Sequence, residues 1–219
     1  MMTISIARVV RLIGAGVLVV ATAACSTLRP AATPNPSFYA LQGAPAAARP
    51  DAAAGPPAPS TAPTLIVNPP HAAAGFDSPR IMYVREAHKL EYFAHSEWVD
   101  TPARMLAPLL VAANESTGAF RAVVLTPSAA TGDLRLDTEI VRLQQEFGSP
   151  PSRVQFTLRA YLVEDKTRRV LAWREFEAAV PAPSDDPYGG VVAANRAVQT
   201  VLKDLAAFCA GAARGWRNE

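Results

Sequence analysis

Three histidines and two cysteines are all that this chain of 219 residues offers as soft metal ligands or thiols. His71, His88 and His95 stand apart from one another and from any cysteine at metal-ligand spacing, so the pattern that builds a zinc site is missing. A Gly-rich phosphate loop and a G-x-S-x-G elbow are also lacking, which leaves nucleotide and serine-hydrolase chemistry without a sequence signal. Charge of one sign is scarce too. With 21 basic and 19 acidic residues the net charge is +2, and that is no footprint of a nucleic-acid surface. The adjacent acids Asp185 and Asp186 precede Pro187, where helix capping explains them, and Glu164 and Asp165 flank a turn. These absences nominate no catalytic residue, no metal and no cofactor. The reading is a non-enzymatic protein.

A long apolar run is the last thing missing, and what stands in its place is informative. Arg8 and Arg11 form a short basic region, and the apolar stretch from Leu12 to Val20 follows. It falls short of the roughly 20 residues that a permanent bilayer-spanning helix needs. Small residues Ala21, Thr22, Ala23 and Ala24 then run into Cys25. That order of parts is a signal peptide over residues 1–24. A small-small-Cys junction resembles the lipobox of bacterial lipoproteins, in which the cysteine is acylated and becomes the mature N-terminus. Thr22 stands where that motif most often has leucine. The alternative is plain secretion, with cleavage after Ala21-Thr22-Ala23. Lipidation at Cys25 is the expectation, because a cysteine seldom falls at this position by chance; several acyl chains at ~0.8 kcal/mol per buried CH₂ would then make a stable anchor where one is marginal. Cys209, the other cysteine, then has no intramolecular partner and reads as a small buried side chain in an apolar helix.

About 195 residues follow the signal, enough for one domain of ordinary size. Residues 25–36 read as a lipidated tether. Residues 37–219 read as one domain carrying an Ala/Pro-rich insertion at 42–63, which lacks any hydrophobic period and is too long for an ordinary connection. Strands are expected at 37–41, 65–67, 81–85, 90–93 and 123–125. A helix should open at Pro102, capped by Asp100 or Thr101, with Pro108 kinking it or marking its true start. Leu134, Leu136, Thr138 and Ile140 alternate with charged residues, then the alternation slips to Val141 and Leu143, as a β-bulge would make it. Val154 to Leu162 alternates again, Asp165-Lys166-Thr167 turns, and Val170 to Val180 returns as a hairpin partner. Val191, Ala194, Val198, Val201, Leu205, Phe208 and Ala212 make one apolar stripe over about six turns behind the Asp186-Pro187 cap. The fold class is α+β: an antiparallel sheet covered by a long C-terminal helix and a shorter central helix. The stripe also permits self-association into a homo-oligomer but does not demand it.

Tyr92, Phe93 and Trp98 cluster near a strand-to-helix junction. Trp98 either packs under the following helix or, with Tyr92, belongs to a partner-facing anchor, since Trp and Tyr dominate interface hot spots.

The order of features resembles one known family. A lipobox-like cysteine precedes Phe38-Tyr39-Ala40-Leu41; a Leu-Ile-Val strand follows, then Phe76-Asp77-Ser78-Pro79-Arg80-Ile81 running into Tyr83-Val84-Arg85. The junction tryptophan Trp98, a helix, an antiparallel sheet and a final long helix complete the set. Together they are similar to the ABC-type transport auxiliary lipoprotein family, although Val99-Asp100-Thr101-Pro102 replaces the Ala-Glu-Pro-Leu-like continuation of that family. The resemblance implies a membrane-anchored partner of an inner-membrane ABC transporter and a periplasmic mammalian-cell-entry-domain protein. It implies movement of lipids or other hydrophobic compounds between membranes, with the lipoprotein docking the periplasmic component at the outer membrane. Ser26, rather than Asp, after the cysteine is consistent with outer-membrane sorting. A second reading is a structural lipoprotein that supports assembly of an outer-membrane complex.

Overall fold

The computed structural model describes residues 35–43 and 61–216. Cys25, the signal peptide, nearly all of the tether and most of the insertion at 42–63 lie outside the described residues. The elements in chain order are β1 (Ser37–Tyr39), β2 (Thr64–Val67), β3 (His71–Ala72), β4 (Arg80–Val84), β5 (Leu90–Trp98), α1 (Pro102–Glu115), β6 (Ala122–Leu125), β7 (Leu134–Glu146), β8 (Arg153–Glu164), β9 (Val170–Pro181) and α2 (Pro187–Gly215).

Alternating hydrophobicity builds the spine of the sheet. Leu134, Leu136, Thr138 and Ile140 are buried, then Leu143 and Gln145, so the inward set changes parity across Val141. The β7–β8 register shifts between Ile140 and Arg142, which is the bulge that the slip in the sequence predicts. Val154, Phe156, Leu158, Ala160 and Leu162 face the same core from β8. β8 pairs antiparallel with both β7 and β9 along nearly their whole lengths. The other side of β7 is built differently. Three short strands are tiled along it, all parallel to it: β2 against Leu134–Leu136, β3 against Glu139–Ile140 and β4 against Gln145–Glu146. Pro69 and Pro70 separate β2 from β3, because proline lacks the N–H that a continuous ladder requires. β6 adds parallel to β2, β5 pairs antiparallel with β4, and β1 adds parallel to β5. The antiparallel meander expected from the alternation is therefore one half of a mixed sheet.

Both helices start as their sequences dictate. Thr101 Oγ1 accepts from Arg104 N at 3.4 Å ahead of Pro102, and Asp186 Oδ1 accepts from Gly189 N at 2.7 Å ahead of Pro187. Pro108 neither starts nor ends α1, which runs on through it to Glu115. Its ring is exposed, on the side of the helix away from the buried Ala107 and Leu110. α2 has 29 residues, about 43 Å at 1.5 Å per residue, and lies on β8 and β9. Val191, Ala194, Val198, Val201 and Leu205 are all buried, while Phe208 at the far end is half-buried. The stripe is thus spent within the chain. α1 packs on β2, β6 and α2, so one continuous core joins both halves of the sheet.

Candidate functional site

The junction singled out by its aromatics separates into an inner and an outer part. Trp98, the last residue of β5, is only 3% exposed. It lines a cavity of about 10 Å³ together with Ile81, Leu143 and Gln145 of the sheet and Gly190 and Ala194 of α2, and belongs to the core cluster that also holds Ala103 and Leu106 of α1. Its backbone N–H donates to Pro79 O at 2.7 Å, which fixes the end of the strand. The indole is a core element. Tyr92 is 48% exposed, and the Arg80 guanidinium covers one face of its ring at 4.1 Å. Of the two candidate partner residues, only Tyr92 presents its ring to solvent.

Next to Trp98 lies a buried polar group that the sequence did not flag. Gln145, at 2% exposure, donates from Nε2 to Ser152 Oγ at 2.9 Å and to Asp186 O at 3.4 Å. Its Oε1 has no hydrogen-bond partner and crowds the place where a Cβ on Gly190 would stand, so any larger residue there would have to displace the glutamine amide. Asp185 Oδ1 accepts from Ser152 N at 2.7 Å, and the Ser152 contacts hold its carboxyl below the usual aspartate range. The neighbouring acids thus divide the work, Asp186 capping α2 and Asp185 fastening the β7–β8 connection. This network positions elements. A cavity of about 10 Å³ holds at most a water-sized molecule.

Other titratable groups are likewise held by structural bonds. Glu164 accepts from Thr167 Oγ1 and from Trp216 Nε1, and with Arg169 and Lys166 nearby its carboxyl lies below the ordinary range. Arg159 bridges Glu139 at 3.1 Å and Glu175 at 2.9 Å, a ladder across β7, β8 and β9. Cys209 is fully buried, and burial pushes its thiol up to about 12, which keeps it protonated and unreactive. His71, His88 and His95 are exposed. Among the described residues no three His, Cys, Asp or Glu side chains converge as a metal site, and no helix is long and apolar enough to cross a membrane.

What the surface does offer is apolar side chains at the edges of the sheet. At the β1 edge, Phe38, Val99 and Tyr188 are about equally exposed, at 60%, 59% and 62%. Val99 N donates to Tyr39 O at 2.8 Å, and the Tyr39 and Tyr188 rings lie 6.4 Å apart, so β1, the residue after β5 and the first turn of α2 meet at one corner. Asn195 pins that corner to α2: its Oδ1 accepts from Gln42 N at 2.7 Å and its Nδ2 donates to Ala40 O at 3.2 Å. At the opposite edge, Trp173 stacks on Tyr161 with centroids 6.3 Å apart and stays largely exposed. Trp173 was legible in the sequence, since it shares a strand parity with Glu175 and Glu177. The β1 corner was not, because it assembles residues from three distant segments.

Sequence comparison agrees with this assembly of short strands, sheet and long helix. The profile of the ABC-type transport auxiliary lipoprotein component matches residues 39–206. The chain belongs to that family. The matched span runs from β1 into the last third of α2, and so takes in both halves of the sheet. Among solved structures, this auxiliary lipoprotein is similar to a protein of the DUF330 family from Xanthomonas campestris, at 24% identity and a TM-score of 0.70, covering 82% of this chain and 97% of that one. A second, uncharacterised protein matches at 12% identity and a TM-score of 0.62, covering 80% of this chain and 99% of the other. Both likenesses are of fold. Among curated proteins, no sequence match is found. The family membership makes the protein an auxiliary lipoprotein of ABC-type transport in the bacterial envelope.

Proposed function

We propose that this auxiliary lipoprotein is a non-catalytic adaptor, acylated at Cys25, that docks the periplasmic mammalian-cell-entry-domain protein of an ABC-type lipid transport system at the outer membrane. The family match across residues 39–206 carries this reading. The chemistry of the described residues supports it. Each carboxylate held below its ordinary range is engaged by a structural hydrogen bond, and the sole described thiol is sealed in the core. What remains for function is surface, and Tyr92 is its partner-facing candidate, an aromatic anchor backed by Arg80.

Crosslinking in intact cells followed by purification of this chain tests the adaptor role. Recovery of a mammalian-cell-entry-domain protein supports it, and recovery of an outer-membrane β-barrel in its place would move the protein to an assembly role. Tyr92→Ala should lower recovery of the partner by about tenfold, corresponding to a hot-spot loss of ~1–2 kcal/mol. For the anchor, Cys25→Ala should release the protein from membranes in high salt and abolish uptake of labelled palmitate. Persistent sedimentation of that variant, with no palmitate on the wild type, sinks the acylation.

A further inference from the structure

A strand at the edge of a sheet presents unpaired backbone groups to any other strand, and natural proteins guard such edges with lysine, proline, a bulge or a cover. Among the described residues β9 pairs with β8 alone, over the 12 residues from Val170 to Pro181. Its guards stand at the two ends. The β8–β9 register slips beside Leu171, between the pairs Leu162–Ala172 and Val163–Val170, and Pro181 closes the other end. Between them, Trp173 to Ala179 runs in unbroken register. We infer that this stretch is a β-addition site, which takes an extended segment of a partner protein as one more strand of the sheet. The surface is separate from Tyr92, and the inference does not depend on acylation at Cys25.

Hydrogen-bond parity leaves the stretch open. Ala182 N donates to Ser152 O at 2.7 Å, so these two residues form a bonded pair. Bonded and non-bonded pairs alternate along an antiparallel ladder. Val180, Ala178, Phe176 and Arg174 therefore turn their N–H and C=O groups to β8, while Ala179, Glu177, Glu175 and Trp173 turn theirs outward. The long side chains lean away from the edge. Glu175 reaches back to Arg159 at 2.9 Å, Glu177 accepts from Gln155 Nε2, and the Trp173 ring stacks on Tyr161, all three partners being on β8. Arg174 lies over the Phe176 ring of its own strand.

The two faces of the edge define the occupant. On the face away from α2, Arg159 is shared between Glu139 and Glu175, and Glu177 has only the Gln155 amide, so this rim is negative. Arg142, on the same face, stands two strand spacings from Glu177, roughly 10 Å. On the α2 side Phe176 is buried, Phe208 meets it edge-on at 5.6 Å, and Ala178 and Val180 are half-buried. An added strand buries alternate residues against that apolar rim and sets the others beside Glu175 and Glu177. The matching segment alternates apolar residues with lysine or arginine. A second copy of β9 does not match. Antiparallel pairing about a two-fold at residue 175, 176 or 177 sets glutamate across from glutamate, and like charges directly opposite are destabilising.

Hydrogen exchange read residue by residue tests this. The probe is the synthetic peptide Val-Lys-Val-Lys-Val-Lys-Val, added to the full chain in detergent micelles. At saturating peptide the amides of Trp173, Glu175, Glu177 and Ala179 should exchange about tenfold more slowly or better. Those of Arg174, Phe176 and Ala178 should hardly change, because β8 already binds them. The same peptide, N-methylated at the residues that pair with β9, should protect nothing. Glu175→Lys combined with Glu177→Lys should weaken binding of the lysine peptide by about tenfold and shift preference to its glutamate counterpart. The N-methyl comparison uses the wild-type chain, so the test stands even where the double variant does not fold. No protection, equal protection at odd and even positions, or protection by the N-methylated peptide would overturn the inference. Protection that arises from raising the protein concentration without peptide would also overturn it, by assigning the edge to a second copy.

Discussion

Gly190 and Gln145 show how closely single residues are matched here. The glutamine Oε1 occupies the space that a Cβ on residue 190 would need, and both groups are buried. Gly190→Ala should therefore destabilise the fold by about 1–3 kcal/mol despite the better helix propensity of alanine, measured as a lowered urea midpoint. Gly190→Ala in a Gln145→Ala background should recover part of that loss, and full additivity would show that the clash lies elsewhere. Asp185 makes a prediction about pH. Its pKa is lowered in the folded state by Ser152, so its stabilisation is present above the ordinary aspartate value and lost as pH falls through the depressed one. Asp185→Asn should weaken the protein at neutral pH, and the gap to wild type should close under strongly acidic conditions. Cys209 should resist alkylation at pH 8 in the native protein and react fully in denaturant, since its thiol is buried and titrates near 12.

At the scale of elements, α2 and β8 hold the largest share of the core. Phe156 is fully buried and faces this layer, so Phe156→Ala should cost about 3–5 kcal/mol. Asp186→Ala, which removes only the cap, should cost about 1 kcal/mol by the same denaturation measurement. Equal losses would mean that the cap and the core contact are not the separate contributions that the geometry describes. The helices, the bulge at Val141 and the β8–β9 hairpin were legible beforehand because their signals are local. A cap, a proline at the first turn, a stripe of period 3.6 or an alternation of period 2 each lies within a few residues. The parallel tiling of β2, β3 and β4 on β7 was not. The Thr64 N–H reaches Asp133 Oδ2 across 69 residues, and such pairing leaves no mark on either segment alone.

The whole folded body shares one core, with α1 touching both α2 and the β2–β6 wing. Its unfolding in urea should accordingly be a single transition, coincident by far-ultraviolet circular dichroism and by tryptophan fluorescence. Separated midpoints would mean that the parallel wing and the antiparallel meander are independent units. At this scale the surface divides by edge. One edge gathers Phe38, Val99 and Tyr188 beside the first strand, the other exposes Trp173, and the β4–β5 hairpin carries Tyr92 between them.

By itself, the sequence determined both helices and most of the strands, where α2 begins and where β7 slips, but neither the short β3 nor the run of β5 from Phe93 on to Trp98. Backbone sterics and side-chain periodicity act over short range, so these features follow from a handful of neighbours. The ordered motifs also sufficed to name the family. Only the tertiary structure decided that Trp98 turns inward while Tyr92 stays outward, although both belong to β5. The irregular β4–β5 register between Arg80 and Met82 sets the two ends of that strand in different surroundings. Only the tertiary structure, too, brought residues 39, 99 and 188 to one corner, because side chains carry no directional signal of where they will meet.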